Sequence, residues 1–270
     1  MSHFKFEPHA DKFLGATAED LGQEQIDEFK QRFDTYETEP IEGLELEKTE
    51  REIALIDFAE RAVDKELEKL GRDSRLSVAK AKIHILEKGG VEKHTQGRLI
   101  GGAHSVYNSI LTDRVDSDVQ FAVVMFHELV HAKVFRTLRA IETEDGPVVD
   151  HARNGISVIS TDGKKRSFGD IEEALTAYLE RKFFKDYIED NEEFSEQEKR
   201  RVEFGRSVEL SELQELVEDI YDKNKDSFTS SGEVFELFLK TNASGRLLPL
   251  ARLIEKTYGK GAFRYLGDFT

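Results

Sequence analysis

Apolar residues recur at helical spacing over two early stretches of the chain. Residues 1–18 contain Pro8 and Gly15 and carry no clean period, so they read as an arm. Over 19–37, Leu21, Ile26, Phe29 and Phe33 are set among acids, a pattern that predicts one amphipathic helix. Pro40 and Gly43 punctuate it. From Glu47 to Leu70, Ile53, Ile56, Ala59, Val63, Leu67 and Leu70 mark a second helix, which Gly71 stops.

The pattern then shortens. Lys82–Leu86 and Arg98–Leu111 are rich in β-branched and apolar residues and broken by glycine pairs, which predicts two or three short strands, the last near Ser105–Leu111. A helix over roughly 118–140 follows, with Asp116, Ser117 or Asp118 as its cap. After Gly146-Pro147, Gly155–Ser160 reads as a strand that turns at Asp162-Gly163 and returns through Arg166–Phe168. The remainder is helical: about 171–190 capped by Asp170, then 195–223, 231–240 and 246–258, ended by Gly259 and Gly261. The acid-rich run from Asp186 to Asp226 is a solvated helical face, and the basic residues Arg246, Arg252, Lys256, Lys260 and Arg264 belong to an amphipathic terminal helix packed on the core. The expected fold is therefore α+β and mainly helical. A small, mostly antiparallel sheet precedes the helix over 118–140, and a C-terminal helical lobe follows. The expected division is an N-terminal arm and helix (1–46) and a single domain (47–270), with sheet and central helix at about 82–141 and the lobe at about 170–270.

Composition narrows the function. With 38% hydrophobic and 10% aromatic residues, the 270-residue chain can bury a core large enough to offset its conformational entropy. Its 39 basic and 55 acidic residues give a net charge of −16, a field that repels phosphate backbones, so no nucleic-acid partner is expected. Cysteine is absent, which excludes disulfides, thiolate-ligated zinc, iron–sulfur clusters and thiol nucleophiles. The first residues, MSHFKFEPHADKF, have no apolar signal-peptide core. The longest apolar stretch, around Phe121–Phe126, is far short of the roughly 20 residues that span a bilayer. A cytoplasmic protein without a membrane partner is expected. The glycine pairs do not form a dinucleotide-binding fingerprint.

Residues 127–131 read His-Glu-Leu-Val-His. On a helix, positions four apart stand one above the other, so His127 and His131 present two imidazoles to one point. Zinc accepts imidazole nitrogen there at two corners of its tetrahedron, and one zinc per chain is expected. Glu128 projects about 100° around the helix from His127, where it can act as general base toward a metal-bound water without ligating the metal. Val123, Val124, Val130, Val134 and Leu138 flank the histidines and predict their burial. A catalytic site needs a third protein ligand. A third histidine six residues after the second is ruled out by Thr137, with Val134 where that pattern needs glycine, and no cysteine exists. The remaining solution is a glutamate on a second helix, and Ile171–Glu180 supplies one. Glu173 is the choice of ligand, Glu172 its competitor and Glu180 the weaker alternative.

With these residues the chain resembles the gluzincins, the thermolysin-like clan of zinc metallopeptidases. The likeness rests on His127, Glu128 and His131 in one helix and on Glu173-Ala174-Leu175-Thr176 in another, over about 118–190. It implies a peptide or protein substrate. In thermolysin-like enzymes an Asp follows the hydroxyl residue and orients a zinc-bound histidine; Ala177 stands there, so orientation must come from elsewhere. The resemblance also implies an extended peptide bound along an edge strand before the zinc helix, for which Ser105–Asn108 is the candidate. An oxyanion needs a donor. Tyr178 is the choice, with Tyr187, Tyr107 and His151 as alternatives. His151, in what reads as a polar turn, is the outside candidate for zinc, whereas His84, His94 and His104 read as ordinary residues. The implied function is a zinc-dependent metallopeptidase. The alternatives are a non-catalytic, peptidase-like zinc-binding module for a protein partner and a zinc hydrolase of non-peptide amides.

Overall fold

The computed structural model describes residues 11–14, 27, 41, 43–72, 78, 80–97, 101–104, 109–143, 146–162 and 164–268. The architecture is α+β and mainly helical, with two small sheets. The helix expected from Glu47 is α1, Glu50–Lys69. Thr49 caps it by accepting from Glu52 N, while the Glu52 carboxylate accepts from Thr49 N, so two end donors are satisfied reciprocally. Gly71, at φ +80°, ends it where the chain must turn left-handed. Ile56, Ala59, Val63 and Leu67 form its buried stripe.

The first sheet has strand order β2-β3-β5-β4: Glu45–Leu46, Ile83–Leu86, Ile110–Asp113 and Gly102–His104. Pairing is antiparallel for β2–β3 and β4–β5 and parallel for β3–β5, with the short helix α2 (Gly90–His94) in the crossover. Next comes α3, Asp118–Lys133, capped by Ser117. It is buried on nearly every side and packs between α1 and α4, Gly169–Phe183. Phe126 of α3 stacks on Phe183 of α4 with ring centroids 4.3 Å apart.

The helix expected to run to about residue 140 stops at Lys133. Val134 is already extended, and β6 runs over Arg136–Thr143. It pairs antiparallel with β7, Gly146–Asn154. The four-residue spacing of Val130, Val134 and Leu138 imitates a helix, but the β6–β7 ladder engages the backbone instead. β7 replaces the polar turn expected around His151. The five-stranded sheet continues as expected through β8 (Ser157–Ile159) and β9 (Arg166–Ser167). On its other side β1, Lys12–Leu14, lies parallel to β6, so part of the expected arm is a strand. Residues 1–46 thus contribute β1 and β2 to sheets formed with later parts of the chain. The expected helix over 19–37 lies outside the described residues, apart from Asp27.

Two boundaries in the C-terminal part differ from expectation. Asp170 lies inside the first turn of α4, and Phe168, at φ +62°, takes the cap position. After α4 the chain makes a π-helical turn, Phe184–Ile188. The helix expected over 195–223 is two: α5, Glu196–Lys199, and α6, Ser207–Lys223. Arg206, left-handed at φ +58°, breaks the run. Leu210, Leu213, Val217 and Ile220 form the buried stripe of α6, and the acids face solvent. α7 (Ser231–Ser244), α8 (Leu247–Tyr258) and α9 (Ala262–Asp268) complete the lobe. Among the described residues no helix is long and apolar enough to cross a membrane.

Candidate metal centre

A cleft of about 1160 Å³ opens over α3 and α4. The first sheet borders it through Gly102, Thr112 and Asp113, and the second through His151, Asn154, Ser157, Ile159 and Arg166. His127, Glu128 and His131 line its floor with Glu173 and Glu180.

The two imidazoles meet through Nε2, 3.1 Å apart, with ring planes inclined by 72°. Their outer nitrogens are held by α4: His127 Nδ1 is 2.6 Å from Glu180 Oε2, and His131 Nδ1 is 2.9 Å from Glu172 Oε1. A carboxylate only accepts, so each Nδ1 carries a proton, and in the neutral ring each Nε2 presents a lone pair. Glu173 Oε2 brings a third acceptor, 3.6 Å from His127 Nε2 and 3.7 Å from His131 Nε2. Three acceptors facing one point repel one another unless a cation sits among them. Bonds of about 2.0–2.1 Å at tetrahedral angles would separate ligand atoms by about 3.3 Å, close to the spacing found. His127, His131 and Glu173 therefore form a group that could hold a metal ion.

The surrounding charge favours a cation as well. Burial alone would lower the His127 and His131 pKa values. Hydrogen bonds that its ring donates to Glu173 and Glu180 raise His127 well above the ordinary histidine value, and the charge of Glu172 and the hydrogen bond donated to it raise His131. Burial would raise Glu173, but the two histidines, with Arg206 3.4 Å away, hold it below the usual carboxylate range. Burial pushes Glu128 up, partly offset by the same histidines.

No family model, curated protein or solved structure matches the chain. Its chemistry must be read from this site.

The structure separates the three candidate glutamates by role. Glu173 faces both Nε2 atoms, whereas Glu172 and Glu180 orient the rings from behind. They supply the orientation that Ala177 cannot. Glu128, the expected base, lies in the same cleft outside the triad. A Cβ built on Gly102 would lie 2.5 Å from Glu128 Oε1, so the bare backbone of β4 makes room for this carboxylate. Tyr178, the expected oxyanion donor, is placed elsewhere: its ring packs on Phe235 with centroids 4.5 Å apart, and it does not line the cleft. Tyr187 donates to Glu66 at 3.0 Å, also away from the cleft. Tyr107 and the edge segment Ser105–Asn108 lie outside the described residues. His151 is in the cleft, but its Nε2 accepts from Arg136 Nη2 at 2.5 Å, and it is not part of the metal-binding group. Of the scattered histidines, His84 is buried on β3 and bonds Glu45 at 2.8 Å.

Sequence reasoning missed the paired roles of Glu172 and Glu180, the room at Gly102 and the approach of Arg206 to Glu173. One signal was present. Glu180 is seven residues after Glu173, two turns along the same helical face.

Proposed function

We propose that this protein is a zinc-dependent metallopeptidase with Glu128 as its general base. The observation that carries the reading is the convergence of His127 Nε2, His131 Nε2 and Glu173 Oε2 beside a buried carboxylate that is not one of the three. Three protein ligands drawn from histidine and glutamate are the donor set of catalytic zinc sites. A zinc ion held there would supply a Lewis acid that polarises a carbonyl and acidifies water at neutral pH.

The chain's own residues supply the rest. Glu128 takes a proton from water at its carboxylate and delivers it to the leaving amide nitrogen as the C–N bond breaks. The hydroxyl ends on the carbonyl carbon and the hydrogen on the amine, so water is the only co-reactant. Glu172 and Glu180 keep each histidine in the tautomer that turns Nε2 inward. At about 1160 Å³ the cleft exceeds the usual small-molecule pocket, which suits a stretch of polymer. β4, an edge among the described strands, borders the cleft at Gly102 and offers backbone groups to an extended peptide.

Glu128→Gln tests the reading. The substitution preserves shape and removes the proton acceptor, so zinc content and thermal midpoint stay near wild type while peptide hydrolysis falls about 10²–10⁴-fold. Cleavage unchanged by Glu128→Gln would refute the mechanism. A fully zinc-loaded wild type that cuts nothing in a broad peptide library would refute the function.

A further inference from the structure

We propose that the cleft wall built by β7, β8 and β9 is a carboxylate-binding subsite, anchored by Arg166, that seats a peptide carboxylate near the metal centre. The inference deepens the metallopeptidase reading of the same cleft and rests on it.

A row of polar residues crosses the second sheet at the end that faces the cleft. Arg136 pairs with Asn154 across β6–β7, Asn154 pairs with Ser157 across β7–β8, and Ser157 Oγ accepts from Arg166 Nε at 2.8 Å. Arg136, Asn154 and Ser157 are only 1%, 9% and 2% exposed. Burying such groups carries a desolvation cost that an apolar row packed on a core would avoid. Asn154 Oδ1 is buried without a hydrogen-bond partner among the described residues, and Asn154 lines the cleft. It is an unsatisfied acceptor on a residue of the cleft wall, and a turn of the side chain toward the cleft would bring it to an incoming N–H.

Arg166 supplies the charge. It is half exposed and held at two points, by Ser157 at Nε and by Glu172 Oε2 3.5 Å from Nη2. Its Nη1 has no partner among the described residues. The other cleft arginines are engaged. Arg114 is bound by both oxygens of Glu52 and the Glu47 carbonyl, and Arg206 by Glu173 and Glu209. The cleft-lining residues of this wall include no acid. Nearest is Glu172, fully buried and already bonded to His131 and Arg166.

Glu172 also sets the distance. One of its oxygens holds His131 and the other faces Arg166, so the anchor stands one carboxylate away from a metal-binding imidazole. That span is roughly two residues of extended chain. An arginine fork matches a carboxylate, and the Asn154 carbonyl matches a backbone N–H close by. A free C-terminus and an internal Asp or Glu side chain both offer this carboxylate.

Binding to the full-length, zinc-loaded Glu128→Gln protein, measured by titration calorimetry, tests the subsite without turnover. Three probes are compared: N-acetyl-trialanine with a free carboxylate, its C-terminal amide, and the amide of N-acetyl-Ala-Glu-Ala. At least one acidic probe binds about tenfold or more tighter than the trialanine amide, the strength of a charge-assisted hydrogen bond. Preference for the free acid assigns the subsite to a C-terminus, and preference for the glutamyl amide assigns it to an internal acidic side chain. Arg166→Gln abolishes the preference at unchanged zinc content, Arg166→Lys retains part of it, and Asn154→Ala weakens all three probes alike. Equal binding of all three probes, or a preference that survives Arg166→Gln, overturns the proposal. Hydrolysis by the wild type, assayed separately, distinguishes failure of this subsite from failure of the metallopeptidase reading.

Discussion

Replacing Gly102 by alanine displaces the Glu128 carboxylate while leaving the metal ligands alone. The new Cβ would lie 2.5 Å from Glu128 Oε1, 3.2 Å from Cδ and 3.4 Å from Cγ. Ordinary contact begins near 3.5 Å, so the carboxylate must retreat by about 1 Å. The atom that moves is the far end of a flexible side chain, and alanine lowers the entropy of the unfolded chain by about 0.4–1 kcal/mol, so the thermal midpoint changes little. A reacting group misplaced by about 1 Å costs on the order of 10²-fold in rate. Gly102→Ala is therefore expected to retain wild-type zinc content and stability while peptide cleavage drops about 10²-fold. On the Glu128→Gln background the same substitution should add nothing, since the group it displaces no longer accepts a proton. The measurements are steady-state cleavage at matched zinc occupancy, elemental analysis and a thermal melt. Gly102→Ala cleaving at the wild-type rate would refute the claim that β4 sets the position of the base.

The three glutamates of α4 should separate in metal binding. Glu173→Ala removes a ligand and should cost more affinity than Glu172→Ala, which leaves the triad intact and weakens binding about 10–100-fold, as loss of a ring-orienting partner does; a chelator competition in which Glu172→Ala is the weaker binder reverses the assignment. Acid should unfold the protein partly through Glu52 and Glu45. Burial raises both carboxyls, but Arg114 and Thr49 on Glu52, and His84 on Glu45, outweigh it and hold them below the ordinary value. Their contribution is then complete above about pH 4.3, the unfolded value, and is lost as pH falls through the lower folded values. Thermal midpoints from about pH 6 to 3 should fall less steeply for Glu52→Gln than for wild type, and identical slopes would count against the assignment.

The elements readable in the sequence were those in which local pattern and tertiary packing agree. α1 carries cap, stripe and glycine stop, and the two imidazoles of α3 follow from a four-residue spacing that any helix imposes. β6 was hidden because Val130, Val134 and Leu138 keep helical spacing into a segment whose backbone is claimed by β7. His151 reads as a turn residue because the polar string Asp-His-Ala-Arg-Asn-Gly hides a strand at the lip of a cleft. Tyr178 lies five residues after Glu173, which carries it away from the metal-facing side of α4 and onto Phe235. Roles for Glu172 and Glu180 were out of reach for another reason. Which nitrogen of a ring an acid meets depends on how closely two helices approach, and no periodicity encodes that.

Among the described residues, the carboxylates that face or orient the two histidines, Glu172, Glu173 and Glu180, all come from the single helix α4. The candidate centre thus joins two helices, and its geometry depends on the register of α4 against α3. An ion held between the two helices would share them with the stacked pair of Phe126 and Phe183, which joins the same α3 and α4. Ion uptake and core cohesion would then be one linked equilibrium: at free metal about 100 times its dissociation constant, the native state would gain about 2.7 kcal/mol. A core substitution such as Phe183→Leu, which leaves every ligand in place, would then loosen the grip on the ion.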